Sequence, residues 1–204
     1  MSAATNVSRS SLLRRGFLLE YATLAWNVVG VVVLALTALA ARSVALAGFG
    51  LDSMIEIGAS VVVIWELSGT GESRRRQALR LIAVAFMLLA IYLAVQSTWL
   101  LAIGFHAHAS PGGIAWTAAT AAVMFVLAAA KAQTGAALGN PVLQTEGRVT
   151  LIDGFLATAV LAGLLLNAIL GWWWADPAAS YVLTYYAARE GRAILPYRSP
   201  ISPI

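Results

Sequence analysis

The stretch LDSMIEIGAS, residues Leu51–Ser60, places two carboxylates in the middle of an apolar run. That run extends from Val44 to Trp65 and is long enough to cross a bilayer. Asp52 and Glu56 are four residues apart, so they share one face of a helix, about one turn from each other. One carboxylate at mid-membrane costs about 2.5–3.5 kcal/mol, and a like-charged neighbour makes the second less favourable still. We therefore expect the pair to bind a cation, or to be protonated and hydrogen-bonded in a helix bundle.

The composition is that of a membrane protein. Of 204 residues, 60% are hydrophobic and only 11% are charged, against about 25% charged in soluble domains. The net charge of +4 arises from short basic clusters between apolar runs, which membrane orientation explains better than a nucleic-acid partner. Without cysteine, any metal must be held by oxygen or nitrogen. No nucleophile–base pair or glycine-rich phosphate loop indicates an enzyme, and no cofactor is expected.

The apolar runs predict an all-α polytopic membrane protein with a six-helix transmembrane bundle. Residues 1–16 are expected to form a disordered cytoplasmic N-terminal arm, 17–195 the six-span domain, and 196–204 a short cytoplasmic tail without a C-terminal cytoplasmic domain. The predicted spans are 17–41, 44–67, 81–105, 114–130, 142–173 and 177–195. The sixth has only 177–188 free of charge, about 18 Å of helix against roughly 30 Å of hydrocarbon.

Lysine and arginine predict the orientation of these spans. Of thirteen such residues, all but Arg42 fall in the N-terminal arm, the 74–80 cluster, the 131–148 region or the tail. Six crossings would put those twelve on one side, so both termini are predicted to be cytoplasmic. Lys131 is expected to mark the inner interface at the end of the fourth span. We expect a multi-pass protein of the plasma (cell inner) membrane.

The fifth span carries a second stripe of oxygen-bearing side chains. Glu146, Thr150 and Asp153 stand at i, i+4 and i+7, on one helix face. Helices two and five could place this stripe opposite Asp52 and Glu56. Three or four converging oxygens suit a divalent cation, and a partly neutralised cluster could equally take up and release protons. A simple ion pair between Glu146 and Arg148 is the alternative for that acid.

Other polar residues have weaker assignments. Asn27 could line the site, although a helix–helix hydrogen bond is the more frequent role of such a residue. His106 and His108 could contact a metal at the outer mouth, and Glu66 could reach water or the arginines that follow it. Asp176, followed by a proline, is expected to cap the sixth helix.

Two segments of the chain resemble the cation diffusion facilitator (cation efflux) family. Ser43–Ala47 together with Leu51–Ser60 is similar to the second helix of that family, and EGRVTLID at 146–153 is similar to its second acidic helix. The sequence WADP, which ends at Pro177, is similar to its entry to helix six. The resemblance implies divalent metal efflux, usually of zinc, in exchange for protons, with alternating access and a homodimer.

The resemblance also implies which residues hold the metal. Asp52 and Glu56 match the two acids of the helix-two pair, with a longer side chain at Glu56. Asp153 matches the acid of the helix-five pair, whose histidine position is occupied by Val149. Glu146 could supply a further carboxylate, one helical turn away from the position of the missing histidine. Without imidazole the site should favour harder cations or hold zinc less tightly, which leaves zinc, manganese, cobalt and iron open.

Three functions remain open on the sequence. The first is a divalent metal cation transporter that works by proton antiport through Asp52, Glu56, Asp153 and Glu146. The second is a non-transporting membrane subunit or metal-responsive binding protein that keeps the family frame. The third is a proton-coupled carrier of an organic cation, with Trp26 and Trp65 flanking the acids.

Overall fold

The computed structural model describes residues 2–67 and 72–194, without the side chains of 2–9, 66–67, 72–79, 81–82 and 141. Within these ranges the chain is helical and has no strand. The elements are α1 (Ser2–Ala41), α2 (Val44–Leu67), α3 (Glu72–Ala102), α4 (Pro111–Leu138), α5 (Pro141–Leu170) and α6 (Ala175–Ile194). The predicted all-α helical bundle is confirmed. The 68–71 loop, the 196–204 tail and the side chain of Glu66 lie outside the described residues.

Five of these helices contain segments long and apolar enough to cross a membrane. The segments are Ser10–Ala41, Val44–Trp65, Ala83–Ala102, Pro111–Leu138 and Val142–Leu170. Their outward faces expose large apolar side chains, among them Leu39 at 78%, Val126 at 69% and Ile169 at 74%. Such continuous apolar exposure is unfavourable in water and natural in lipid. The chain is a multi-pass membrane protein.

Helix α6 differs from the other five. It has 20 residues, about 30 Å of helix, but its charged residues at both ends exclude it from the segments apolar enough to span. It packs mainly against α3 and also contacts α5 and α2. The sixth crossing therefore stays a prediction.

The first helix is longer than the sequence suggested. Residues 1–16 were expected to be a disordered arm, but α1 begins at Ser2 and continues without interruption into the apolar span. No proline occurs in this segment and its first glycine is Gly16. Once the apolar span has nucleated a helix, elongation through such residues is favourable, so a change in polarity alone does not end it.

The connection between α4 and α5 is shorter than predicted. A link from Lys131 to Pro141 was expected, but α4 continues to Leu138. Gly139 ends that helix with a left-handed φ of 62°, and the Asn140 side chain accepts hydrogen bonds from Val142 N and Leu143 N to cap α5. Lys131 consequently lies within α4, two turns before its end.

Asp176 caps a different helix from the one expected. It lies in the first turn of α6, but its carboxylate accepts hydrogen bonds from Val44 N at 3.0 Å and Ala45 N at 3.3 Å. The Ser43 hydroxyl also donates to it. These donors belong to the start of α2, whose first N–H groups have no partner within the helix. Asp176 thus links the start of α6 to the start of α2.

Helices α4 and α5 make the closest contact in the bundle. A Cβ added to Gly147 would lie 2.9 Å from the backbone nitrogen of Ala132, and one added to Gly135 would lie 2.8 Å from that of Gln144. Only glycine permits this approach. The contact brings the stripe of α5 that contains Glu146 directly against Lys131 of α4.

Candidate functional site

Three carboxylates from α2 and α5 meet inside the bundle. Asp52, Glu56 and Asp153 are each at most 5% exposed. They line one small pocket, with a cavity volume of about 10 Å³, together with Val149 and Tyr186. This is close to the least space that holds one water-sized body. We call these three residues the acid trio.

Neighbouring helices hold Glu56 in place. Asn27 Nδ2 of α1 donates to its Oε2 at 2.9 Å, and Thr150 Oγ1 of α5 donates to its Oε1 at 3.2 Å. Asn27 thus makes a helix–helix hydrogen bond and also contacts the site. On the sequence alone these two roles were alternatives. Because Glu56 accepts from both sides, it links three helices of the bundle.

Asp153 is in a different situation. Its carboxylate lies next to those of Asp52 and Glu56, and neither of its oxygens receives a hydrogen bond from any donor in the described part of the chain. Ionised carboxylates only accept hydrogen bonds, so adjacent ones need a shared proton or a cation between them. Within the acid trio only Glu56 receives hydrogen bonds from donors in the described part of the chain, and Asp153 is buried with neither oxygen partnered.

A second polar cluster is centred on Lys131, which is completely buried. Its Nζ lies 3.1 Å from Glu146 Oε1, 3.3 Å from Glu20 Oε2 and 3.1 Å from Thr150 Oγ1. Lys131 therefore faces the inside of the bundle, and its expected depth at the inner interface stays a prediction. The ammonium can be buried because the two glutamates lie beside it as partners. A lysine at the interface would need only water as its partner.

This second cluster also changes the position of Glu146. Its ion pair is with Lys131, whereas the exposed Arg148 donates from Nη2 to Thr145 Oγ1 at 3.2 Å. Glu146 lies two turns before Asp153 on α5, about 10 Å along the helix axis. The structure brings Asp52, Glu56 and Asp153 together and leaves Glu146 with the lysine.

The carboxylates are adjacent but do not form a ready-made metal centre. Among the residues that the structure describes, no group of three or more His, Cys, Asp or Glu side chains has an arrangement that could hold a metal ion. The hydrogen bonds from Asn27 and Thr150 explain part of this, because they turn the Glu56 oxygens toward α1 and α5. A metal would have to draw Glu56 away from these donors.

The rim of the pocket contains one acid that the sequence did not assign to the site. Glu190 of α6 lines it together with Tyr186 of the same helix. The two histidines lie far from it: His106 stacks on Trp173 with ring centroids 5.1 Å apart, and His108 N donates to Ala41 O. Val149 lines the pocket where the resemblance would require an imidazole.

Lys131 and Glu20 are two further polar residues that sequence reasoning did not place inside the bundle. Glu20 is an acid next to an apolar run and requires a partner once buried, which was a usable signal. Lys131 falls in phase with the buried Met124, Leu127 and Ala128 on α4. That periodicity would have placed it on the inner face if the helix had been extended past it.

Comparison with known proteins adds no relative to this description. No protein-family model matches the chain, and no curated protein matches it significantly.

Proposed function

We propose that the protein is a divalent metal cation transporter that exports its substrate by proton antiport, with the cation bound by Asp52, Glu56 and Asp153. One observation carries the proposal: Asp153 is buried in the acid trio and has no donor on either oxygen in the described chain. An ionised carboxylate in this state inside a membrane protein is unfavourable unless a proton or a cation compensates it, and an antiporter supplies the two in turn.

Charge balance supports exchange with protons. When a divalent cation lies among the trio, two of the three negative charges are compensated. When it leaves, mutual repulsion in a low dielectric is relieved if protons take its place. The same carboxylates then carry either the cation or protons, and each excludes the other. Such competition for one site is one requirement of antiport, and alternating access is the other.

The shape of the pocket supports alternating access. A cavity of about 10 Å³ has no room for a hydrated ion, so the cation must enter stripped of water while helices move apart. Glu190 and Tyr186 at the rim would be the first groups it meets from the cytoplasm. We place the protein in the plasma membrane, as a homodimer by resemblance to the cation diffusion facilitator family.

The ligand chemistry bears on which metal is carried. The pocket offers carboxylate and hydroxyl oxygens and the aliphatic Val149, with no nitrogen ligand among its lining residues. Oxygen ligands favour manganese and other harder cations, and they hold zinc less tightly than imidazole does. Manganese, cobalt, iron and zinc should all be offered as substrates.

A non-transporting membrane subunit or metal-responsive binding protein is the second candidate. Two observations favour it. No group of side chains among the described residues is arranged to hold a metal, and Glu146 is ion-paired with Lys131 instead of joining the acid trio. Such a protein would bind a metal without turnover.

A flux assay separates these functions. Purified protein is reconstituted into vesicles that contain a pH indicator, and zinc, manganese, cobalt or iron(II) is added outside at constant ionic strength. A transporter moves protons only when its metal is present. Specific metal binding without flux would favour the subunit, and proton flux only with an organic cation would favour the third function raised by the sequence.

A further inference from the structure

The ammonium group of Lys131 occupies a complete site for a cation. Its three oxygens come from three separate residues, Glu20 on α1 and Glu146 and Thr150 on α5, at 3.1–3.3 Å. An ammonium group has three N–H donors, and these three contacts use all of them. We call Glu20, Glu146 and Thr150 the lysine cage.

The lysine cage contains two carboxyl groups around one ammonium. Glu20 and Glu146 together oppose a single positive charge, and all three side chains are at most 4% exposed. The second oxygen of Glu20, Oε1, is buried without a hydrogen-bond partner in the described structure. A lysine that served only as a structural ion pair would require one carboxylate. Two carboxylates and a hydroxyl around one point make a site built for a cation.

Thr150 connects the lysine cage to the acid trio. Its Oγ1 accepts from Lys131 Nζ at 3.1 Å and donates to Glu56 Oε1 at 3.2 Å. The ammonium therefore sets the direction of the hydroxyl proton, which points toward Glu56. The two clusters share this hydroxyl but no carboxylate, and the charge of Lys131 also acts on Glu56.

We propose that the lysine cage is a second cation site, and that the side chain of Lys131 is its permanent tethered occupant. The tether keeps free monovalent cations out of this site and leaves the acid trio as the place for an exchangeable cation. Lys131 is thus a specificity-determining residue. The second site itself does not depend on the proposed function, whereas the specificity role of Lys131 rests on it.

The proposal predicts that removing the ammonium creates a site for a small free cation. Lys131→Ala deletes the side chain beyond Cβ and leaves two unpaired buried carboxylates. In detergent without divalent metal, its thermal unfolding midpoint should fall by roughly 10 °C relative to wild type. Methylammonium chloride should restore at least half of this loss and should saturate. Choline chloride, which is too large for the cage, serves as the ionic-strength control and should restore none.

Two further proteins make the experiment decisive. Wild type should not respond to methylammonium, because its cage is full. Lys131→Ala/Glu20→Gln/Glu146→Gln removes the charges of the cage and should recover stability without any added cation and without a methylammonium response. Sodium chloride provides a second probe and should act like methylammonium, with a smaller shift.

Several results would overturn the proposal. One is that Lys131→Ala is as stable as wild type. Another is that choline and methylammonium have equal effects on it. The third is that the charge-free triple variant responds to methylammonium in the same way. Should Lys131→Ala not fold, Lys131→Ala/Glu146→Gln keeps Glu20 and Thr150 with one fewer unpaired charge. That variant must then show a saturable methylammonium response, and its absence counts against the second site. Since no divalent metal is present, failure here leaves the proposed transport untouched.

Discussion

Among single residues, Asp153 and Lys131 show two ways of placing charge inside this bundle. Lys131 has three oxygen partners within 3.3 Å, and its positive charge is fully compensated by protein groups. Asp153 is only 4% exposed, and neither of its oxygens has a hydrogen-bond donor in the described chain. A buried group without a partner is a free-energy loss that a bound substrate can recover. The two residues therefore differ in whether protein groups compensate their charge.

Replacing Asp153 with asparagine should stabilise the metal-free protein. The amide keeps the shape of the side chain and supplies two N–H donors to the neighbouring carboxylates of Asp52 and Glu56. We expect a gain of about 1–3 kcal/mol, the usual cost of an unsatisfied buried polar group. Thermal unfolding in detergent without divalent cations measures it.

The matched control is Thr158→Val on the same helix. The Thr158 hydroxyl donates only within α5, to Gly154 O at 2.8 Å, so its loss should change stability little. A lower unfolding midpoint for Asp153→Asn than for this control would show that Asp153 has a stabilising partner.

The residues of the acid trio could be predicted because their spacing alone puts them on two helix faces. Asp52 and Glu56 share a face at i and i+4, and Asp153 shares one with Thr150. The lysine cage could not be predicted in this way, because it depends on which residues of α1 and α4 face α5. A lysine at the end of an apolar run is typical of an interface, and only the observed helix packing places it inside.

Among the helices, α2 carries Asp52 and Glu56, and its N-terminus is capped by a side chain of α6. Asp176 accepts hydrogen bonds from two backbone N–H groups of α2 and from the Ser43 hydroxyl. The sequence correctly marked Asp176 as a capping residue, but it assigned the cap to α6. A capping side chain is recognised by its type, whereas the helix that it caps depends on tertiary contacts.

Asp176→Ala should therefore destabilise the bundle through α2. It leaves the N–H groups of Val44 and Ala45 and the Ser43 hydroxyl without their acceptor, at a loss of about 1–3 kcal/mol. Asp176→Asn keeps one acceptor oxygen and should lose less. Thermal unfolding of the two variants gives the order, and equal stability of wild type and Asp176→Ala would contradict the cap.

On the scale of the whole molecule, composition and hydropathy were enough to predict a helical membrane bundle. They did not give the ends of α1 and α4, because both helices extend past changes in polarity in segments that contain no proline. The role of α6 is the remaining question of architecture, since its charges exclude it from the segments apolar enough to span. The distribution of lysine and arginine along the chain predicts that the two ends of α6 lie on opposite sides of the membrane.

Single cysteines test that topology directly, because the natural chain has none. Ala109→Cys lies in the loop before α4, Ala137→Cys in its last turn, and Ala193→Cys at the end of α6. A membrane-impermeant maleimide should label only Ala109→Cys in intact cells and all three after permeabilisation. Labelling of Ala193→Cys from outside would mean that α6 does not cross.

The central claim is that the acid trio binds the cation whose movement is coupled to protons. The direct test is metal-driven proton flux in vesicles that contain wild type, Asp52→Asn, Asp153→Asn or the Thr158→Val control, each at the same protein density. The account predicts flux with one or more of manganese, cobalt, iron and zinc for wild type and Thr158→Val. For either asparagine variant it predicts a loss of at least about tenfold, equivalent to roughly 1.4 kcal/mol. Undiminished flux in Asp52→Asn and Asp153→Asn would contradict it.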